Sequence, residues 1–104
     1  MSAIQALDES QPGLSTELTE AVRVEQLNTR TVQTYQHWIA QYVAYFDLEN
    51  PSYLTEKNVR EFLRYLMKTL SLSRAKLNQA REALIFLYEK VLHKPRVAAE
   101  LQLT

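Results

Sequence analysis

The stretch NTRTVQTYQHWIAQYVAYF, residues 28–46, repeats apolar side chains every three or four positions. Residues with this spacing share one side of an α-helix, so the stretch predicts an amphipathic helix. Asn28 is a favourable N-cap residue, and the pair Asn50-Pro51 that follows the stretch is a stop signal for a helix. The positions predicted to face the core are Val32, Tyr35, Ile39, Tyr42, Val43 and Phe46.

Three further segments show helical spacing on either side of this stretch. One spans about residues 16–27, with Ser15 or Thr16 as its cap; the next follows Thr55, and the last spans residues 73–93. The last of these is expected to be the most buried, because extra apolar residues widen its stripe. No strand-like alternation of any length is present. The predicted fold class is therefore all-α, a compact bundle of four or five helices.

The predicted domain organisation is one helical domain with a short segment at each end. Residues 1–14 hold several turn and loop formers and are predicted to be a flexible tail. Residues 15–96 are predicted to form the helical domain. Residues 97–104 are predicted to be an exit segment, which is either a short fifth helix or frayed.

The composition indicates a globular protein of 104 residues with 46% hydrophobic residues and one Gly. There is no Cys, so disulfides and thiolate metal sites are excluded. No apolar run approaches the roughly 20 residues that span a bilayer, and residues 1–13 lack the layout of a signal peptide. The protein is therefore predicted to be cytoplasmic, with no membrane partner.

The sequence holds no pattern that predicts catalysis. It has no Gly-rich phosphate loop, no cluster of metal ligands and no nucleophile beside a base. His37 and His93 lie on different predicted helices without a supporting acid, and Tyr35, Tyr42 and Tyr88 lie on apolar stripes. The chain is predicted to be a binding module with no catalytic residue, cofactor, metal or small-molecule substrate.

Charge divides the chain into two halves of opposite sign. Residues 1–56 hold two Lys/Arg and eight Asp/Glu, a net charge of −6, whereas residues 57–104 hold ten and four, a net charge of +6. Such asymmetry suggests one side that faces a polyanion. The alternative is that helices from the two halves pair electrostatically.

Two predicted helix starts are basic and free of acid. No Asp or Glu occurs from Asn28 to Phe46, and four basic residues without an acid occur from Lys68 to Arg81. A helix N-terminus presents free N–H groups and partial positive charge, and therefore suits phosphate. The two starts are predicted to face a nucleic-acid backbone.

These residues resemble a known family, the tyrosine recombinases or phage integrases. The segment from Leu27 to Tyr35, with Trp38-Ile39 after it, resembles the opening helix of the family's core-binding domain. Residues 55–66 resemble the second family helix, and residues 72–95 are most similar to the integron integrase branch. The resemblance covers about residues 16–95. The order and spacing of these three segments together are more specific than any single motif.

The resemblance implies a SAM-like helical bundle that binds double-stranded DNA beside a separate catalytic domain, which is absent from these residues. It further implies a monomer in isolation and an oligomer on DNA for the full-length protein. Asn28 replaces a frequent Ser cap, and Ala75 stands where the family often has Thr or Ser. The implied DNA-binding residues are Thr29, Arg30, Thr31, Thr34, His37, Ser73, Arg74, Lys76, Asn78, Gln79 and Arg81.

Two other functions remain open from the sequence. One is a helical protein–protein interaction domain with an exposed aromatic patch of Trp38, Tyr45 and Phe86. The other is a membrane-surface bundle, which is disfavoured because anionic lipid would repel the acidic half. Within the DNA-binding hypothesis, the rival contact surface is the basic stripe formed by Arg60, Arg64 and Lys68.

Overall fold

The computed structural model describes residues 1–102, and every regular element in that range is helical. The prediction of an all-α bundle is confirmed. Two short helical elements accompany the α-helices: a 3-10 turn at Pro51–Tyr53, and a π-helical segment at Leu87–Val91 that continues α5. The six α-helices are α1 Ala3–Ser10, α2 Leu14–Val24, α3 Thr29–Tyr45, α4 Glu56–Lys68, α5 Arg74–Phe86 and α6 Pro95–Gln102.

The predicted caps Asn28, Thr55 and Ser73 each precede a helix. The Asn28 side chain accepts a hydrogen bond from the Thr31 backbone N–H at 2.9 Å, and Ser73 Oγ accepts one from Lys76 N–H at 3.3 Å. The Thr55 backbone N–H is bonded to the side chain of the following helix's third residue at 2.8 Å. Local hydrogen bonding therefore sets the starts of α3, α4 and α5.

The predicted cap of α2, Ser15 or Thr16, is wrong. The helix begins one residue before Ser15, and its N-cap is Gly13, whose φ of 83° lies in the left-handed region that glycine adopts without strain. Ser15 instead bonds to Asp8, through its backbone N–H at 2.9 Å and its hydroxyl at 2.8 Å. This contact ties α2 to the end of α1.

Asn28→Ala should lower the free energy of unfolding by about 1 kcal/mol, because the first turn of α3 loses its side-chain acceptor. Urea denaturation of the variant and parent measures this loss. Asn78→Ala is the matched control, since Asn78 is an exposed residue within α5 and no cap. Equal midpoints for Asn28→Ala and the parent would contradict the capping role.

Residues 3–10 form a helix, so the prediction of a flexible tail over residues 1–14 is wrong there. Ser2 and Gln5 form a capping box, and Ala6 and Leu7 are buried where α1 packs against α3. An eight-residue helix is marginal on its own, and tertiary packing supplies its stability. Turn-forming residues mark only the α1–α2 connection.

All the α-helices contribute buried side chains to one core, within which α3 and α5 pack against each other. Tyr42, Leu84 and Tyr88 have no accessible surface. The predicted core positions Val32, Tyr35 and Phe46 are only partly buried.

Two buried tyrosines join α3, the π-helical segment and the 3-10 turn. Tyr88 OH donates to the Pro51 carbonyl at 2.9 Å, and the hydroxyls of Tyr42 and Tyr88 are 2.8 Å apart. Because the single Tyr88 proton goes to Pro51, Tyr42 must donate to Tyr88. Burial raises the pKa of both hydroxyls, that of Tyr88 to about 12, so both stay neutral.

The exit segment forms helix α6, one of the two predicted alternatives. Ala98 and Leu101 are buried, and the Arg60 guanidinium donates to the Glu100 carbonyl at 3.2 Å. Residues 103 and 104, the end of the predicted segment, lie outside the described residues. The packing of α6 against α4 and α5 therefore adds to the core.

Candidate nucleic-acid interface

One stripe of α3 carries three of the predicted DNA-binding residues. Arg30, Thr34 and His37 are spaced four and three residues apart, so the helix places them on the same side. Arg30 and His37 are exposed, and Thr34 is partly exposed. This side lies away from the buried positions Ile39 and Val43. It is therefore the solvent-facing surface of α3.

The structure brings this stripe together with part of α5. A shallow groove of about 300 Å³ runs between the two helices. Thr34 and His37 line it from α3, while Lys76 and Gln79 line it from the first turns of α5. Four predicted residues from distant parts of the chain thus share one surface. The full set of lining residues is Gln33, Thr34, His37, Trp38, Lys76 and Gln79.

Two predicted contact residues serve as local caps. The Thr31 hydroxyl donates to Asn28 Oδ1 at 3.0 Å, and Ser73 Oγ accepts the Lys76 N–H. Thr29, at the start of α3, is exposed. The hydroxyls of Thr31 and Ser73 therefore hold the helix starts in shape.

The remaining predicted residues lie on the other side of α5. Arg74, Asn78 and Arg81 are spaced four and three apart, and therefore share a stripe that is turned away from Lys76. Arg81 lines a different groove, between α4 and α5, together with Arg60. The residues predicted as one site therefore divide between two surfaces.

An acid that the sequence analysis did not include lies beside the first groove. Glu82 follows Gln79 by three residues, so the two share a side of α5. Burial, and after it the negative charge of Glu82, raises the pKa of Tyr35, which places this carboxylate near the α3–α5 contact. In the sequence, the three-residue spacing between Gln79 and Glu82 already indicates that Glu82 lies on the same side of α5. The surface is therefore less positive than the acid-free stretch indicated.

Ion pairing between the two halves of the chain is limited. Within residues 1–102, the ion pair that joins the halves is Lys90 with Glu25, at 3.5 Å between nitrogen and oxygen. Arg23 pairs with Glu20 inside the acidic half, and this pair lowers the pKa of Glu20 through a side-chain hydrogen bond. Pairing between halves therefore accounts for little of the charge asymmetry.

The predicted aromatic docking patch does not exist. Trp38 and Phe86 are buried, with 7% and 8% of their surface exposed, and the Phe86 ring packs against Tyr35 of α3 with ring centroids 4.9 Å apart. Tyr45 is more exposed but stacks against Tyr65, with ring centroids 4.8 Å apart. The protein–protein hypothesis loses the surface on which it was based.

Across residues 1–102, no three His, Cys, Asp or Glu side chains are grouped so that they hold a metal ion. In the same range, no helix has both the length and the apolar character needed to cross a bilayer.

The helical fold, with α3 and α5 paired, is shared with a known family of proteins. Residues 14–96 match the family described as the N-terminal SAM-like domain of phage integrase. The chain therefore belongs to this family, and the resemblance found in the sequence is confirmed.

Two curated relatives are each named an integrase/recombinase, one from Escherichia coli and one from Pseudomonas aeruginosa. Each is 33% identical to this chain over 76 residues, which cover 73% of the chain. The match spans 23% of the length of each relative, so the chain matches less than a quarter of each of those proteins. No solved structure matches the chain.

Proposed function

We propose that this chain is the DNA-binding module of a site-specific tyrosine recombinase. Its membership of the integrase family and the short span that it shares with its relatives support this proposal. The strand-exchange chemistry would belong to a catalytic domain outside these 104 residues. We further propose a cytoplasmic protein that is monomeric as an isolated domain and assembles on DNA as a full-length recombinase.

The observation that carries the proposal is the groove between α3 and α5. Thr34, His37, Lys76 and Gln79 offer hydroxyl, imidazole, ammonium and amide groups, all of which hydrogen-bond to phosphate. Lys76 lies in the first turn of α5, so its charge adds to the partial positive charge of that helix start. None of the described residues that line this groove is acidic.

The arrangement favours contact with the DNA backbone. A shallow groove with one ammonium and several neutral donors positions a protein on phosphates, whereas sequence reading needs side chains that reach base edges. Arg30 extends the same surface along α3, because it precedes His37 by seven residues. Arg74 and Arg81 would reach a different part of the duplex or none.

The isolated domain should bind duplex DNA weakly, with a Kd on the order of 10⁻⁴–10⁻⁶ M at physiological salt and with little sequence preference. Titration of a labelled duplex at several salt concentrations measures both the affinity and its salt dependence. Lys76→Ala and Arg30→Ala should each weaken all duplexes alike and lower the salt slope by about one unit.

Lys57→Ala is the control, because Lys57 is an exposed cation on α4 that lines neither groove described. It should leave the salt slope unchanged. Binding that ignores salt, or that responds to Arg64→Ala but not to Lys76→Ala, would count against the α3–α5 surface.

A further inference from the structure

A second groove lies along the other edge of α5, where α4 packs against it. Its volume is about 230 Å³, and it is distinct from the proposed DNA surface because the two share no residue. The residues that line it are Arg60, Leu63, Arg64, Met67, Leu77 and Arg81.

The floor of this groove is apolar. Leu63 and Met67 are one helical turn apart on α4, and Leu77 faces them from α5. Half of the Met67 surface is exposed, and Leu70, three residues further on, is 48% exposed. Within the groove, the apolar stripe of α4 runs from Leu63 to Met67, about 6 Å or one helical turn.

The rim of the groove is positively charged. Arg60 and Arg64 stand on α4, with Arg81 opposite them on α5, and no acid is among the described lining residues. Glu61, which follows Arg60, lies near Tyr45 of α3, whose pKa is raised by burial and by the charge of Glu61. Glu82 lies near Tyr35 of α3, whose pKa is raised by burial and by the charge of Glu82. The described lining of the groove therefore contributes three cationic side chains and no carboxylate.

We propose that this groove binds an acidic amphipathic helix of a partner protein. Apolar side chains spaced four and three residues apart on that helix would pack against Leu63, Met67 and Leu77, while its flanking carboxylates would pair with the arginines of the rim. Arg and Met are enriched at protein interfaces, and the planar guanidinium pairs with carboxylate through two hydrogen bonds. Arg60 is already held in place by its bond to the Glu100 carbonyl.

Charge and burial favour this occupant over DNA and over a second copy of the chain. Phosphates would satisfy the arginines, but they would leave the apolar floor against a polar backbone. The acidic helix α2 of a second copy has no apolar face to offer, because Leu14, Leu18 and Val22 are buried in its own core. An acidic helix from another protein supplies both kinds of contact.

A labelled synthetic peptide of about 14 residues, or four helical turns, tests the proposal. The peptide carries Leu residues spaced four and three positions apart, with Glu at the flanking positions. A control peptide carries Lys in place of Glu. Fluorescence anisotropy should give a Kd of about 10⁻⁵–10⁻⁴ M for the acidic peptide and no binding of the basic one. Met67→Gln and Arg64→Gln should each weaken binding about tenfold, and Lys57→Gln should not.

Several results would overturn the proposal. In these results, the acidic peptide fails to bind, both peptides bind equally well, or Met67→Gln binds the acidic peptide as tightly as the parent does. Concentration-dependent self-association that Met67→Gln abolishes would make a second copy the occupant. Chemical shifts of Arg60, Arg64 and Met67 that move with a short duplex, while Lys76 does not, would make the groove a DNA surface.

The proposal stands or falls separately from the DNA-binding function. Met67→Gln changes no charge and should leave duplex titrations unaltered, whereas Lys76→Ala should leave the affinity for the acidic peptide unaltered. Circular dichroism should show that both variants are folded, because the Met67 and Lys76 side chains are exposed.

Discussion

Leu84→Ala should lower the free energy of unfolding by about 2–5 kcal/mol. Leu84 has no accessible surface and lies on the inward side of α5, in the core between α3 and α5. Truncation removes buried methyl groups and leaves a cavity that the packed helices fill only partly. Urea denaturation should show a lower midpoint with an unchanged slope.

Leu70→Ala is the matched control for this prediction. It is the same substitution at a site that is 48% exposed, beyond the end of α4, so little burial is lost. Its effect should stay below about 1 kcal/mol. Similar losses for the two variants would mean that Leu84 does not occupy the core as described.

Tyr88→Phe should cost about 2–3 kcal/mol, and Tyr42→Phe only about 1 kcal/mol. The Tyr88 hydroxyl is the middle member of a chain of hydrogen bonds, because it accepts from Tyr42 and donates to the Pro51 carbonyl. Its removal leaves the buried Tyr42 hydroxyl without a partner. Removal of the Tyr42 hydroxyl leaves the bond between Tyr88 and Pro51 intact.

The larger loss of stability in Tyr88→Phe than in Tyr42→Phe tests the direction of the hydrogen bond between the two hydroxyls. The two substitutions are chemically identical and both sites are fully buried, so lost packing does not distinguish them. Denaturation of the two single variants and the double variant measures the coupling between the hydroxyls. A Tyr42→Phe variant less stable than Tyr88→Phe would reverse the donor order inferred here.

The starts of α3, α4 and α5 were predicted because they depend on neighbouring residues. Asn28 and Ser73 bond to backbone N–H groups three residues away, so the chain itself carries the signal. The apolar spacing that predicted the core of α3 and α5 is equally local. The family resemblance added the SAM-like fold, which the family match confirms.

The N-terminal helix was missed because its stability is not local. The segment 3–10 has only eight residues and is followed by turn formers, so its sequence pattern favoured a flexible tail. Burial of Leu7 against α3 supplies what the isolated segment lacks, and this contact depends on residues far along the chain.

The sequence by itself determined the helices, their caps and the basic character of α4 and α5, because each follows from residues within a few positions of one another. Only the tertiary structure decided which of these basic residues act together. Packing against α3 turns Lys76 and Gln79 toward Thr34 and His37, while packing against α4 places Arg81 beside Arg60 and Arg64. A helix has several sides, and its neighbours in space choose which side joins which surface.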